Sequence, residues 1–436
     1  MICLTQKYFI QLFKGLNIKN IPDNINFSYD GENSKFYRIN NSCLRQVTFV
    51  DQHYLEIKRI VDDIEDKVSL QLTGDLKMDQ ENINNYLINV FDDKNKLSVS
   101  DFDQSIFDHS NPHEEMDFSQ NLFKEIKKFE GVVGILTCGI INSGFIKGGS
   151  EEFLWFSSSR ADIDYSIFQD NYSVTEFFSL FKLEEDKIID SLRTNIQKIE
   201  ILKKEKIELK PGKYPVYLSP TAMNDIWNMM NWHGIQGKAF GEKQSAFMDL
   251  YEKKKMLNPK ISLKENFTLN MAPKFNDEGE ISDGEISLIE NGLLITPLTN
   301  QKSAKKFGMI PNKANSWETL RSGEISQGNT SEKKLISELK SGIYISNVHY
   351  LNWSNQKNAE ITGMTRFGCY FVDDNQQISP IKDMRFNTSF YDLFGADLLD
   401  LSKEYSVFCE SGTYGMRKIN GVMKVPGALT KMTFTL

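Results

Sequence analysis

Apolar and polar positions change their period several times along the chain. From Ser34 to Ile60 the text SKFYRINNSCLRQVTFVDQHYLEIKRI sets aromatic and β-branched residues in partial alternation, which predicts strands joined by a turn at Asn40-Asn41. Helical spacing follows from Asp79 through MDQENINNYLINVF and from Ser119 through SQNLFKEIKKFEG, with Ser119 as N-cap, Gly131 as terminator and a polar loop between the two. Residues 132–169 alternate short apolar runs with Gly and Ser clusters, the pattern of a β-meander. Ser173 and Glu176 fit a capping box, S-x-x-E, and the pattern through DKIIDSLRTNIQKIEILKKEKIELK predicts a long helix reaching Lys210, solvated on one side.

Pro211-Gly212 and Pro215 interrupt that pattern, so the domain boundary is placed within 205–212, giving units 1–206 and 207–436. Ser219 as N-cap and Pro220 at the first helical position then open a helix into TAMNDIWNMMNWHGIQGKAFGEKQSAFMDLYEK, after which short strands and loops dominate. The expected fold class is α+β: an N-terminal mixed α/β domain, and a C-terminal domain of one long helix plus many mainly antiparallel strands.

Composition narrows the functional classes. At 436 residues the chain exceeds one compact core, and 30 Phe with 16 Tyr supply ample material for burial. Acidic residues outnumber basic ones 59 to 51, and no basic segment could neutralise a run of phosphates, so nucleic acid is not expected as a partner. Cys3, Cys43, Cys138, Cys369 and Cys409 are scattered and form no CxxC, which argues against a disulfide framework or a Cys-rich zinc module and fits a reducing cytoplasm. Lys7 and Gln11 interrupt the apolar amino terminus and no run of about 18 apolar residues occurs, so neither export nor membrane insertion is expected. There is no G-x-S-x-G, dinucleotide-binding or P-loop text.

Ordered blocks in the second half carry a resemblance. They are WHGIQGKAFGEKQSAF at 232–247, Asp277-Glu278-Gly279, IENGLLITPLTNQKSAKKFG at 289–308, ITGMTRFG at 361–368 and FCESGTYG at 408–415. Together they resemble the C-terminal domain of the TldD/PmbA family of modular metallopeptidases, once described as modulators of DNA gyrase. The FYRINNSCLRQVTF and NSGF (142–145) segments are similar, more loosely, to the family's N-terminal region. Glycines in the 289–308 block suit turns at strand ends.

The resemblance implies a specific chemistry and a specific departure from it. In the catalytic branch, HExxxH on a helix supplies two zinc-binding histidines and a general-base glutamate, and a cysteine near the carboxyl end completes the site. Aligned on the shared text, Asn228 stands at the first histidine, Met229 at the glutamate, His233 at the second histidine and Cys409 near the cysteine. A thioether takes no proton from water at neutral pH, so no catalytic residue and no metal are expected in this chain, and zinc is expected in a TldD-like partner. Residues five apart on a regular helix diverge by about 140°, so an HExxxH site needs a distorted helix. An ordinary polar or packing role is favoured for His233 over a relic ligand, and a buried structural thiol for Cys409 over a nucleophile.

Three further groupings are weaker. His109 and His113 precede Glu114-Glu115, but Asn111-Pro112 breaks any helix that would align them, so a loop is expected. Asp277, Glu278, Glu280, Asp283 and Glu285 lack EF-hand spacing and are read as a solvated loop rather than a Ca²⁺ site. Tyr344, Tyr350 and Trp353 suit a core more than a peptide cleft, with both readings open.

The resemblance favours a non-catalytic, TldE/PmbA-like subunit that holds unfolded peptide in extended form for a zinc-bearing TldD-like partner. Alternatives are a homodimeric peptide-binding protein, and a Cys/His hydrolase working through Cys409 and His233.

Overall fold

A computed structural model describes residues 5–14, 16, 21–62, 64–91, 105–110, 116–282, 284–411 and 417–435. The first half builds a 7-stranded sheet. Its elements are α1 (Gln6–Lys14), β1 (Ile25–Asn40), β2 (Cys43–Val61), β3 (Ile64–Gln71), α2 (Leu76–Phe91), β4 (Ser105–Asp108), α3 (Gln120–Ile126), β5 (Val132–Lys147), β6 (Glu152–Gln169), β7 (Tyr172–Leu180) and α4 (Glu185–Leu202). The strand order is β3-β2-β1-β5-β6-β4 with β7 also on β6, and β4 alone pairs parallel.

Strand alternation sorts the two faces of this sheet. Ile25, Phe27 and Tyr29 on β1 bury against Phe9 and Leu12 of α1 and Ile83 and Leu87 of α2. Tyr37 and Ile39, on the same face, pack against Leu122 and Ile126 of α3 and Ile188 and Leu192 of α4. The opposite face carries Glu32 and Ser34 of β1 and Arg160 and Asp162 of β6, all buried. Buried polar groups need partners, and here they come partly from one another and partly from the second half of the chain, through Arg417, Lys418 and Ile419.

The second half forms a 13-stranded, mainly antiparallel sheet. Its last strand, Lys418–Thr435, pairs antiparallel with β8 (Gly212–Leu218) and with Asp400–Ser411, and parallel with Ser322–Ile325. The α+β class therefore holds. The core beneath it gathers Met223, Ile226, Trp227, Phe247, Phe390 and Phe394. No helix among the described residues is long and apolar enough to cross a membrane.

Local expectations hold where short-range chemistry dominates. Ser119 caps α3 by accepting from the Leu122 N–H at 3.1 Å, and Ser219 caps α5 (Pro220–Asn228) by accepting from the Ala222 N–H at 3.2 Å. Asn291 and Gly292, with φ of 49° and 79°, turn Glu285–Glu290 back onto Leu293–Leu294, as the 289–308 block implies. A Cβ on Gly292 would overlap the Leu257 carbonyl oxygen. The first hairpin turns at Asn41-Ser42, one residue beyond the expected place.

Two expectations are corrected. The supposed capping box Ser173/Glu176 lies inside β7, and α4 begins only at Glu185. The open edge of β6 supplies a continuous hydrogen-bonding ladder to Tyr172–Leu180, which outweighs a local cap. The single long helix after Ser219 is broken: α5 tightens into a 3₁₀ turn over Met229–Asn231, and only short helices, Gly237–Gly241 and Met248–Tyr251, follow. His233 takes a left-handed φ of 60°, and a Cβ on Gly234 would sit 2.7 Å from the Met230 carbonyl oxygen, so the chain turns away there.

Candidate functional site

The end of α5 separates two cavities that share one residue, Asn231. The smaller, of 260 Å³, lies between α5, β7 and the Asp400–Ser411 strand, and brings together Asn224, Asp225, Asn228 and Cys409. Phe177 and Phe408 form an apolar wall, with ring centroids 6.2 Å apart. The larger, of 1170 Å³, contains His233, Trp232 and Trp317. The Asn231 side chain accepts from the Leu320 N–H at 2.9 Å, which fixes the partition between them.

Helical spacing accounts for the smaller site. Asn224 and Asp225 precede Asn228 by four and three residues and so share its face of α5. Met229, where α5 passes into the 3₁₀ turn, is 1% exposed and lies within the apolar core. His233, past the break, is exposed and lines the larger cavity and a neighbouring one of 630 Å³, but not the one that holds Cys409. The structure thus brings Asn228 and Cys409 to one cavity and sends His233 to the other.

Zinc does not fit this arrangement. Asn228 offers an amide, Met229 is enclosed in the core, and His233 faces a different space from Cys409. Among the described residues no group of three or more His, Cys, Asp or Glu lies close enough to hold a metal ion.

The electrostatics separate the two titratable groups of the cavity. Burial pushes the Asp225 carboxyl up to about 7, with no ion pair among the described residues to oppose it. Burial also pushes the Cys409 thiol up, against Arg160, which favours the thiolate. A neutral thiol whose cavity lacks His233 is not an activated nucleophile, so the geometry does not support the Cys/His hydrolase.

Behind Cys409 the two sheets are joined by a buried polar network. The Cys409 N–H donates to Ser179 Oγ at 3.1 Å, and that hydroxyl donates to Asp162 at 2.8 Å. Lys418 Nζ donates to Asp162 at 2.6 Å, and Arg160 donates to the Ile419 carbonyl at 2.7 Å. Glu32 accepts from the Arg417 N–H at 2.9 Å. Burial alone would raise Asp162, but Arg160 and Lys418 outweigh it and hold the carboxyl at about 2.

The weaker candidates resolve into packing. His109 Nε2 accepts from the Lys274 N–H at 2.8 Å, its ring stacks on Phe156, and burial with nearby Lys274 lowers it to about 4. His113, Glu114 and Glu115, like Asp283, Cys3 and residues 412–415, lie outside the described residues. In the acidic loop Asp277 accepts from the Ser316 N–H, Glu278 pairs with Lys58 and Glu280 accepts from Gln301, so these carboxylates are engaged. Tyr344 is core, whereas Tyr350 is 72% exposed and Trp353 donates to the Trp232 carbonyl at 2.9 Å.

Asn224 and Asp225 were not singled out from the sequence. Their spacing to Asn228 was the available signal, but it marks a site only once Cys409 is known to face the same side.

Residues 211–434 match the model of the PmbA/TldA metallopeptidase C-terminal domain. No curated protein matches the chain. Among solved structures, TldE from Thermococcus kodakarensis is similar over 94% of this chain and 96% of its own, with a TM-score of 0.71 at 12% identity. A candidate modulator of DNA gyrase from Bacteroides thetaiotaomicron is similar over 99% of each chain, with a TM-score of 0.71 at 14% identity. Another from Thermotoga maritima covers 99% of this chain and 100% of its own, with a TM-score of 0.66 at 18% identity. At such identities the likeness is one of fold.

Proposed function

Since the chain belongs to the PmbA/TldD metallopeptidase family, we propose that it is a TldE/PmbA-like subunit, holding unfolded peptide for a TldD-like partner that carries the zinc and the general base. The observation that carries this reading is the divergence at the end of α5. Asn228 faces the small cavity with Cys409, Met229 is enclosed in the core, and His233 opens into the large one. A chain built this way supplies surface rather than activated water.

The larger cavity supports the holding role. Its 1170 Å³ exceeds what a single side chain needs, and Trp232 and Trp317 stand 53% and 79% exposed along it. Exposed tryptophans with a polar rim suit an extended segment of varied sequence. The free thiols of Cys43, Cys138, Cys369 and Cys409 fit a cytoplasmic setting.

The test is to purify the chain alone and together with a TldD-like protein, then measure zinc, association and cleavage of an unfolded protein. The expected result is no stoichiometric zinc in the chain alone, a complex with the TldD-like protein, and cleavage by the pair only. Stoichiometric zinc in the isolated chain, or cleavage by it that is lost in Cys409→Ser, would overturn the reading. Self-association with peptide binding, but no complex, would replace it with the homodimeric alternative.

A further inference from the structure

We propose that the smaller cavity is a binding site for a protonated primary amine, carried either by the amino terminus of a peptide or by a lysine side chain. The inference deepens the peptide-holding reading and rests on it only for the origin of the amine.

Two acceptors in this cavity lack donors. Asn224 is 8% exposed, yet its Oδ1 is buried without a hydrogen-bond partner among the described residues. A buried acceptor left unmatched costs about 1–3 kcal/mol, so a ligand N–H there recovers interaction the chain forgoes. Beside it the Asp225 carboxylate lines the same cavity with neither hydrogen bond nor ion pair among the described residues. The Asn231 carbonyl oxygen of the side chain is already taken by Leu320, so the unfilled acceptors sit together on adjacent residues of one helix.

The remaining walls define the rest of the ligand. Phe177, Phe408 and Met423 are apolar and suit methylene groups, and 260 Å³ accommodates one side chain or one terminal residue. An anion would meet the Asp225 carboxylate. A guanidinium brings five N–H donors in a fixed fork and would leave several unmatched, whereas an ammonium is a compact cation with three.

The charge balance gives the site a pH signature. Asp225 must ionise to hold an ammonium, and burial has moved that ionisation up to about 7. Cys409, the other titratable group of the cavity, is kept neutral by burial. On the strands packed against α5, Glu176 accepts from Thr221, while Asp162, Arg160 and Lys418 are tied to one another behind Cys409. Amine binding therefore strengthens as pH rises from 6 to 7.5, where a lysine is still fully protonated and an amino terminus, with an ordinary value of about 7.7–8.0, still mostly so.

The experiment titrates the full chain with three peptides of one sequence: free amino terminus without lysine, acetylated with lysine, and acetylated without lysine. At pH 7.5 one or both amine-bearing peptides should bind roughly 10-fold more tightly than the third, with the preference lost in the near-isosteric Asp225→Asn. Which peptide gains identifies the source of the amine. Equal binding of all three, or a preference that survives in Asp225→Asn, overturns the amine site and leaves peptide holding intact. If no peptide binds but n-butylamine raises the melting temperature of wild type and not of Asp225→Asn, the amine site stands and the peptide reading falls. Absence of both effects overturns the proposal.

Discussion

Lys418 Nζ lies 2.6 Å from Asp162 Oδ2, with both side chains almost wholly buried, so the last strand of one sheet is anchored in the polar face of the other. Arg160 shares the same carboxylate at 3.2 Å. One aspartate thus balances two cations at the junction that also seats Cys409 against Ser179.

Removing that aspartate takes the ion-pair partner from buried Lys418 and leaves Arg160 with the more distant Glu32 as counter-charge. Asp162→Ala should lose about 3–5 kcal/mol in urea unfolding, more than a double replacement of Asp162 and Lys418 by apolar residues of similar volume. The folded-state carboxyl is held below its ordinary 3.8, at about 2. Its stabilisation is therefore complete above pH 3.8 and fades as pH falls towards 2, an acid limb that Asp162→Asn should lack.

Asp225 has the opposite sign. Its folded-state value, about 7, is above the ordinary 3.8, so the folded chain retains a proton that the unfolded chain releases. Relative to Asp225→Asn, wild type should lose stability as pH rises from 3.8 through 7. The variant should be equal at pH 3.5 and about 1–2 kcal/mol more stable at pH 8, allowing for the partial exposure of the carboxyl. Melting curves at the two pH values decide it.

Rebuilding the zinc motif by sequence alone should fail. In Asn228→His with Met229→Glu, the glutamate enters the apolar core and His233 still opens into the other cavity. The expected outcome is a loss of about 3 kcal/mol or more from Met229→Glu and no stoichiometric zinc by metal analysis. A zinc-loaded, stable double variant would show that the end of α5 can rewind.

Trp317, 79% exposed on the large cavity, contributes little to folding. Trp317→Ala should leave the urea midpoint unchanged within error and weaken binding of an unfolded peptide roughly 10-fold, as loss of an exposed aromatic anchor does. A stability change without a binding change would assign Trp317 to packing.

Much of this molecule was legible in its sequence because the controlling interactions are local. Ser119 and Ser219 cap helices through bonds to residues three positions on, and Gly292 takes a conformation that side chains resist. Strand alternation in β1 was legible for the same reason, since neighbouring side chains must face opposite ways. Ser173 and Glu176 carried an equally good local signal and ended in β7, because the chain reverses at Asp170-Asn171 and the edge of β6 then offers nine residues a full ladder, which a two-residue cap cannot match.

The candidate site divides along the same line. Text spacing placed Asn228, Met229 and His233 in one motif, but a 3₁₀ turn and a left-handed His233 sent the three side chains to a small cavity, the core and a large cleft. Asn224 and Asp225 became a site only when tertiary packing laid Cys409 and two phenylalanines across their face of the helix. Capping, alternation and turn chemistry depend on atoms a few residues apart, and the sequence determines them. Which acceptors are buried without donors depends on what long-range packing places opposite them, and only the tertiary structure decided that.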